Sequence, residues 1–109
     1  MVMNRRLEQA RNRIVFHLIL NQKNSISERK ALHLLERGTN IPKEEIVPLF
    51  TQMKHVPDIQ RIFQFRKFKH KDGYVNASMV LRDSWLRNFK FDFEAKELKR
   101  EKENTVSNR

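Results

Sequence analysis

The spacing of apolar residues predicts three helices in the first half of the chain. In residues 4–22, apolar side chains recur at intervals of three and four, which places them on one helix face. Residues 27–37 and 42–55 repeat that spacing and form the second and third predicted helices. The core side chains expected from the three helices are Leu7, Ala10, Ile14, Leu18, Ala31, Leu32, Leu34, Leu35, Ile46, Leu49, Phe50 and Met53.

Capping and proline signals indicate where the second and third helices begin and end. Ser25, with Glu28 three positions later, matches a capping box at the start of the second helix. Gly38 suits the C-terminal end of that helix. Pro48 lies inside the third helix, where it removes one hydrogen bond and should kink or split the helix. Pro57 should end this segment.

The apolar period changes from helical to alternating after the third helix. Residues 59–69 and 74–82 are predicted to form two antiparallel strands joined at Asp72-Gly73, a pair typical of a two-residue type I′ turn. Ile26 is expected to add a very short strand. The three helices and this hairpin predict a mainly α fold with a small β-hairpin, in the α+β class.

With a two-residue loop, the hairpin should have one polar and one apolar face near its tip, because strand side chains alternate. The expected neighbours on the polar face are Lys67 with Ser78 and Lys69 with Asn76. The apolar face is expected to hold Phe68, Val75, Ala77, Met79 and Leu81.

A further helix is predicted over residues 84–103. Alternation across residues 88–93 also suits a strand, but the polar, helix-forming stretch that follows favours a helix. Residues 104–109 should fray. The apolar surface of this helix is wide for one small domain to cover, so it is the expected interface of a homodimer, and it comprises Trp85, Leu86, Phe89 and Phe93.

Positive charge is concentrated in the predicted hairpin. The formal net charge of the chain is +10, and residues 59–82 contain six Lys or Arg against one Asp. Lys and Arg neutralise phosphates in sequence-independent nucleic-acid binding. The expected partner is therefore anionic, with DNA, RNA and an acidic membrane surface as the candidates.

Composition argues against several other classes of protein. The chain has no cysteine, which excludes disulfides and thiolate-bound metals and is consistent with a cytoplasmic location. The longest apolar run, residues 14–20, is interrupted by His17 and is too short to span a bilayer. Four scattered histidines and two glycines provide neither a metal-ligand set nor a phosphate loop. We therefore expect no enzyme activity, no cofactor and no membrane span.

Residues 31–53, ALHLLERGTNIPKEEIVPLFTQM, resemble the helix-turn-helix of winged transcription regulators. In that family a short turn containing Ile-Pro-Lys opens the recognition helix, as Ile41-Pro42-Lys43 would here. The resemblance implies a single winged helix-turn-helix domain over residues 1–103, with an additional C-terminal helix. It also implies that the third helix and the hairpin, called the wing, contact DNA.

The third helix departs from the family pattern in its acidic residues and in its proline. Glu44 and Glu45 stand where small or polar base-reading side chains are usual, and Pro48 replaces a contacting residue. The wing is therefore the main candidate for phosphate contacts, through Lys67, Lys69, Lys71, Asn76, Ser78 and Arg66. The other candidate DNA contacts are Lys43, Thr51, Gln52 and Lys54 on the third helix, and Arg5 and Arg6 on the first.

A second resemblance competes with the first. The hairpin sequence DGYVNAS, followed by Trp85-Leu86-Arg87, is similar to the core of the phage KilA-N DNA-binding domain. The spacing between the two motifs is short for that domain, and the remaining tail is too brief for its helices. The winged-helix interpretation is therefore preferred.

The expected function is binding of double-stranded DNA by a small homodimeric regulator, either operator-specific or tolerant of sequence. The regulated process would be transcription, or the replication or partition of a plasmid or phage, and the protein would be cytoplasmic and nucleoid-associated. The alternative is an interaction adaptor that keeps the winged-helix shape, binds a protein partner and has lost base reading. The acidic third helix favours that alternative.

Overall fold

The computed structural model describes residues 3–83 and 89–100. This part of the chain combines helices with antiparallel strands and belongs to the α+β class. Its elements, in chain order, are α1 (Arg5–Leu20), β1 (Ser25–Ser27), α2 (Glu28–Gly38), α3 (Lys43–Met53), α4 (Pro57–Gln60), β2 (Phe63–Lys69), β3 (Val75–Leu81), β4 (Phe89–Asp92) and β5 (Glu97–Arg100). One sheet has the strand order β1-β3-β2, and β4 pairs with β5 in a second sheet.

Strand β1 connects the start of α2 to the sheet. Ile26 lies opposite Met79 in an antiparallel pairing, which confirms the very short strand expected at this position. Ser27 is the N-cap of α2, and its hydroxyl accepts a hydrogen bond from the backbone N–H of Lys30 at 3.1 Å. The cap predicted at Ser25 is wrong, because Ser25 is held in β1.

The end of α2 lies against α1. Gly38 is the last residue of α2, close to the end predicted for that helix. A Cβ atom at this position would overlap Nε of Arg13 on α1. The glycine therefore leaves room for the Arg13 side chain where the two helices meet.

Helix α3 runs without a break through Pro48, so the predicted split is not observed. The hydrogen bond that Pro48 removes would have gone to the carbonyl of Glu44, in the exposed first turn, where water can replace the donor. Helix α3 ends at Met53, four residues before Pro57, and Pro57 begins α4, in which Ile59 is buried. The start of the first hairpin strand, predicted at residue 59, is therefore helical.

The core lies between α1, α2, α3 and one face of the three-stranded sheet. The predicted apolar faces of α1 and α3 are confirmed, whereas Leu32 and Leu34 of α2 are only partly buried. The buried residues of these elements are Leu7, Ala10, Ile14, Val15, Leu18, Ile26, Ala31, Leu35, Ile46, Leu49, Phe50, Met53, Phe63, Met79 and Leu81. Among the described helices, none is long and apolar enough to cross a membrane.

Residues 89–100 form a β-hairpin where the sequence predicted part of a C-terminal helix. Phe91 lies opposite Leu98 in the hairpin, and both side chains are buried. The Asp92 carboxylate starts the turn by accepting the backbone N–H of Glu94 at 3.0 Å and of Ala95 at 3.1 Å. The alternating pattern and this turn prevail over the helical propensity of the residues that follow. The rest of the predicted helix lies outside the described residues.

Candidate nucleic-acid interface

A three-residue loop, Lys71-Asp72-Gly73, joins β2 to β3. The His70 N–H donates to the Tyr74 carbonyl at 2.7 Å, and the Gly73 N–H donates to the His70 carbonyl at 3.0 Å. Gly73 has a φ of 92°, a left-handed conformation that suits glycine at the third position of such a loop. The two-residue type I′ turn predicted from Asp72-Gly73 is therefore wrong.

The longer loop shifts the pairing of the strands by one residue. Lys67 lies opposite Ala77 and Lys69 opposite Val75, so the predicted pairs Lys67–Ser78 and Lys69–Asn76 are wrong. Near the base of the hairpin, the face that carries the two lysines continues into the buried Phe63 and Met79. The opposite face, called here the aromatic face, comprises Arg66, Phe68, His70, Tyr74, Asn76 and Ser78.

The shift also overturns the predicted apolar face. Phe68 lies opposite Asn76, on the other side of the sheet from Met79 and Leu81, and it is 62% exposed. Val75 does share a face with Met79, but it is 44% exposed because it lies near the hairpin tip. A change of one residue in pairing moves every side chain of a strand to the other face relative to its partner.

The hairpin cations are Arg66, Lys67, Lys69 and Lys71, and all four are exposed. Within residues 3–83 and 89–100, none of them forms an ion pair with a carboxylate. Asp72 is the one acidic residue between positions 59 and 82. Its Oδ1 atom accepts the Tyr74 backbone N–H at 3.0 Å. The tip of the hairpin therefore keeps a positive field.

The cations predicted on α3 are paired instead. Lys54 Nζ lies 2.9 Å from Glu28 Oε2, and both side chains are about 30% exposed. Lys43 Nζ lies 3.7 Å from Glu36 Oε2. Thr51 is exposed and Gln52 is half-buried. A phosphate approaching α3 would have to displace a carboxylate from Lys54 and would compete with the longer, more exposed ion pair of Lys43.

On α1, the two predicted arginines differ. Arg6 forms an ion pair with Glu45 of α3. Arg5 is exposed and has no carboxylate partner among the described residues. It borders a cleft of about 440 Å³ between α1 and α3, whose other walls include Glu44 and Pro48. This side of the molecule is therefore close to neutral, in contrast to the hairpin.

Aromatic side chains dominate the aromatic face. Sequence reasoning did not identify them as candidate contact residues. The ring centroid of His70 lies 4.7 Å from that of Phe68 and 5.2 Å from that of Tyr74. Asn76 Nδ2 lies 3.1 Å from His70 Nε2 across the strands. Tyr74 is 60% exposed. The alternation of residues 66, 68 and 70 was visible in the sequence, but the partners at 74, 76 and 78 depended on loop length.

The predicted dimer residues are only partly described. Phe93 is 52% exposed, and its ring lies 6.0 Å from that of Phe16 on α1 and 5.1 Å from that of Phe91. The backbone of Phe89 lies at the start of β4, not on a helix. Trp85 and Leu86 lie outside the described residues. The helical stripe proposed for the interface is therefore wrong, whereas an exposed aromatic at Phe93 remains.

The chemistry of this interface has to be interpreted from the chain itself. Over the described ranges, no group of three or more His, Asp or Glu side chains could hold a metal ion. No protein-family model matches the chain, and no curated protein or solved structure matches it significantly.

Proposed function

We propose that this protein is a small winged-helix regulator that binds double-stranded DNA, with the β2–β3 hairpin as its main phosphate contact. The chain order α1, β1, α2, α3, β2, β3 supports this proposal, and so does the strand order β1-β3-β2. Both suit a helix-turn-helix followed by a wing. The processes that such a regulator would serve are transcription, or the replication or partition of a plasmid or phage.

The observation that carries the proposal is the contrast between paired and unpaired cations. Lys43, Lys54 and Arg6 each have a carboxylate partner, whereas the four hairpin cations have none in the described part of the chain. Neutralising a phosphate releases condensed counterions, which drives binding. A lysine already held by a carboxylate gains less, because its ion pair must be broken first. Among the predicted contact cations, those of the hairpin should therefore supply most of the phosphate affinity, with Arg5 as the one cation outside it that is unpaired within the residues that the structure describes.

Base reading by α3 would be limited on this proposal. Glu44 and Glu45 occupy its first turn, where they match the helix dipole but repel phosphates. Thr51 is exposed on the same helix and can contact a base edge. The protein would then bind many sequences with similar affinity and discriminate among them modestly.

The test is a salt titration of duplex DNA binding with charge-matched variants. With about six phosphate contacts, the affinity should fall by about a thousandfold between 50 and 200 mM salt. Lys67→Ala, Lys69→Ala and Lys71→Ala together should weaken binding to all sequences. The salt slope, which is the steepness of the fall in log affinity with log salt concentration, should decrease by about one for each phosphate that the variant no longer neutralises.

The matched control removes the same charge from the paired sites. Arg6→Ala, Lys43→Ala and Lys54→Ala together should leave the salt slope close to that of the wild type, provided that melting curves show both variants folded. If the hairpin variant binds like the wild type, or the control reduces the slope as much, the assignment of phosphate contacts to the hairpin is wrong.

A second candidate function is an interaction adaptor of the same shape. The observation that favours it is the outer side of α3, where Val47 is 60% exposed beside the exposed Pro48 and the lysines are neutralised. An apolar patch with balanced charge suits a protein partner better than a phosphate backbone. Absence of duplex binding even at low salt would favour this candidate.

A further inference from the structure

The aromatic face presents ring surfaces to solvent at a place where the fold does not need them. Phe68 and Tyr74 are 62% and 60% exposed, and neither belongs to the core cluster. Contiguous exposed apolar surface in a small protein is typical of a binding site. The opposite face of the same hairpin carries two lysines and a smaller apolar residue, Val75, so the two faces differ in chemistry.

The rings are held in place before any ligand arrives. His70 lies between the other two, perpendicular to Phe68 and inclined by 33° to Tyr74. The cross-strand contact of Asn76 with His70 keeps the imidazole in this position. Ring pairs across a hairpin do stabilise it. That role alone does not require two rings to remain more than half exposed.

Polar and charged groups surround the rings in a pattern that suits nucleotides. Beside Phe68 lies a recess of about 340 Å³ lined by Arg66, Lys67, Phe68, Asn76 and Ser78. Its amide, hydroxyl and guanidinium groups can hydrogen-bond to base edges. The hairpin cations are within the same few residues and would neutralise the phosphates. A peptide recognised through its carboxylates alone would use the cations but not the ring faces.

From this combination we infer that the aromatic face binds unpaired bases of single-stranded nucleic acid by stacking. Bases inside a duplex already stack on each other, so their faces are hidden, and the rings can stack only on bases that are unpaired. The inference goes beyond duplex binding and shares with the proposed function only the hairpin cations. The shared chemistry fits single-stranded DNA and RNA, which the test separates.

The probes for the test are an oligothymidylate of about 12 nucleotides, an oligouridylate of the same length and an abasic deoxyribose phosphate of the same length and charge. The wild-type protein should bind oligothymidylate about tenfold or more tightly than the abasic strand. Oligothymidylate and oligouridylate differ in the base methyl as well as in the sugar, so an oligodeoxyuridylate of the same length is the matched DNA strand. The ratio of its affinity to that of oligouridylate decides which single strand is the ligand.

The decisive variant carries Phe68→Leu and Tyr74→Leu, which keeps apolar bulk on the hairpin but removes the ring faces. It should lose the preference for bases over the abasic strand and keep most of its duplex binding. Val75→Ala, an apolar truncation on the other face, is the matched control and should keep the preference. Melting curves verify that all variants are folded.

Two results would overturn the inference. Equal binding of oligothymidylate and the abasic strand would show that single strands are held by phosphates alone. A wild-type preference for bases in the double leucine variant would show that groups other than these rings bind the bases. Either result leaves salt-dependent duplex binding standing. Binding of neither single strands nor duplex would overturn this inference and the proposed function together.

Discussion

At the scale of single residues, His17 is the histidine with a clear electrostatic environment. It lies in the last turn of α1, where burial lowers the pKa of its imidazole below the usual 6.5, and the cations Lys30, Arg13 and Lys23 add to that effect. The Asn21 amide lies 3.3 Å from His17 Nδ1. Protonation of His17 therefore costs more in the folded chain than in the unfolded chain.

The residue-scale prediction follows from the direction of this pKa shift. The unfolded chain takes up a proton at His17 at a higher pH than the folded chain, so stability is full above about pH 6.5 and is lost as the pH falls through the folded pKa. Melting temperatures of the wild type and of His17→Gln, measured from pH 7.5 to 5, should show a smaller pH dependence in the variant. His55→Gln, at an exposed position, controls for the loss of one histidine. Identical pH dependence in wild type and His17→Gln would contradict the prediction.

At the scale of elements, the β2–β3 loop depends on one backbone conformation. Gly73 has a φ of 92°, which costs an L-amino acid with a side chain about 1–2 kcal/mol. Gly73→Ala should therefore lower the free energy of unfolding by about 1 kcal/mol, measured by urea denaturation. A Cβ atom there would meet no other group within 4 Å, so the loss would report backbone strain and not a clash. Gly73→Asn is the matched control and should lose less, because Asn tolerates this region better. Equal losses in both variants would argue against strain as the cause.

The same loop explains which parts of the structure the sequence could predict. Helix faces depend on local spacing, so Leu7, Ile14 and Phe50 were correctly assigned to the core. Hairpin faces depend on the number of loop residues, and Asp72-Gly73 is compatible with a loop of two or three. The one additional loop residue decides whether Phe68 shares a face with Val75 or with Tyr74.

Contacts between distant elements were beyond sequence reasoning for a different reason. The ion pair between Lys54 and Glu28 joins α3 to α2, and nothing in the local pattern of either helix indicates it. Likewise, residues 89–100 have mixed helix and strand signals. Stacking of Phe91 against Phe16 of α1, with ring centroids 5.6 Å apart, contributes to the choice of a strand through tertiary packing. The sequence could therefore suggest candidate residues, but not the partners that those residues have in the fold.

At the scale of the whole molecule, Phe93 provides a test of the homodimer expected from the sequence. It is half exposed on the C-terminal hairpin, so replacing it should not unfold the chain. If the protein dimerises through this hairpin, the wild type should sediment as a dimer at micromolar concentration. Phe93→Ser should then raise the dissociation constant by about tenfold or more. Leu20→Ser, at a site 62% exposed on α1, is the control and should leave the dimer intact. A monomeric wild type would rule out this assembly.

The uneven pairing of cations also gives the two candidate contact surfaces unequal fields. Charge is balanced around α3 and uncompensated on the hairpin, so the positive potential is stronger beside the loop at residues 71–73 than beside α3. A polyanion that approaches this side of the molecule would therefore be drawn to the hairpin before it reaches α3. On the proposed function, capture would be fast at low ionic strength and would slow as salt shortens the range of the field. The orientation of the first encounter would thus be determined by the three carboxylates that neutralise Lys43, Lys54 and Arg6 as much as by the lysines that bind.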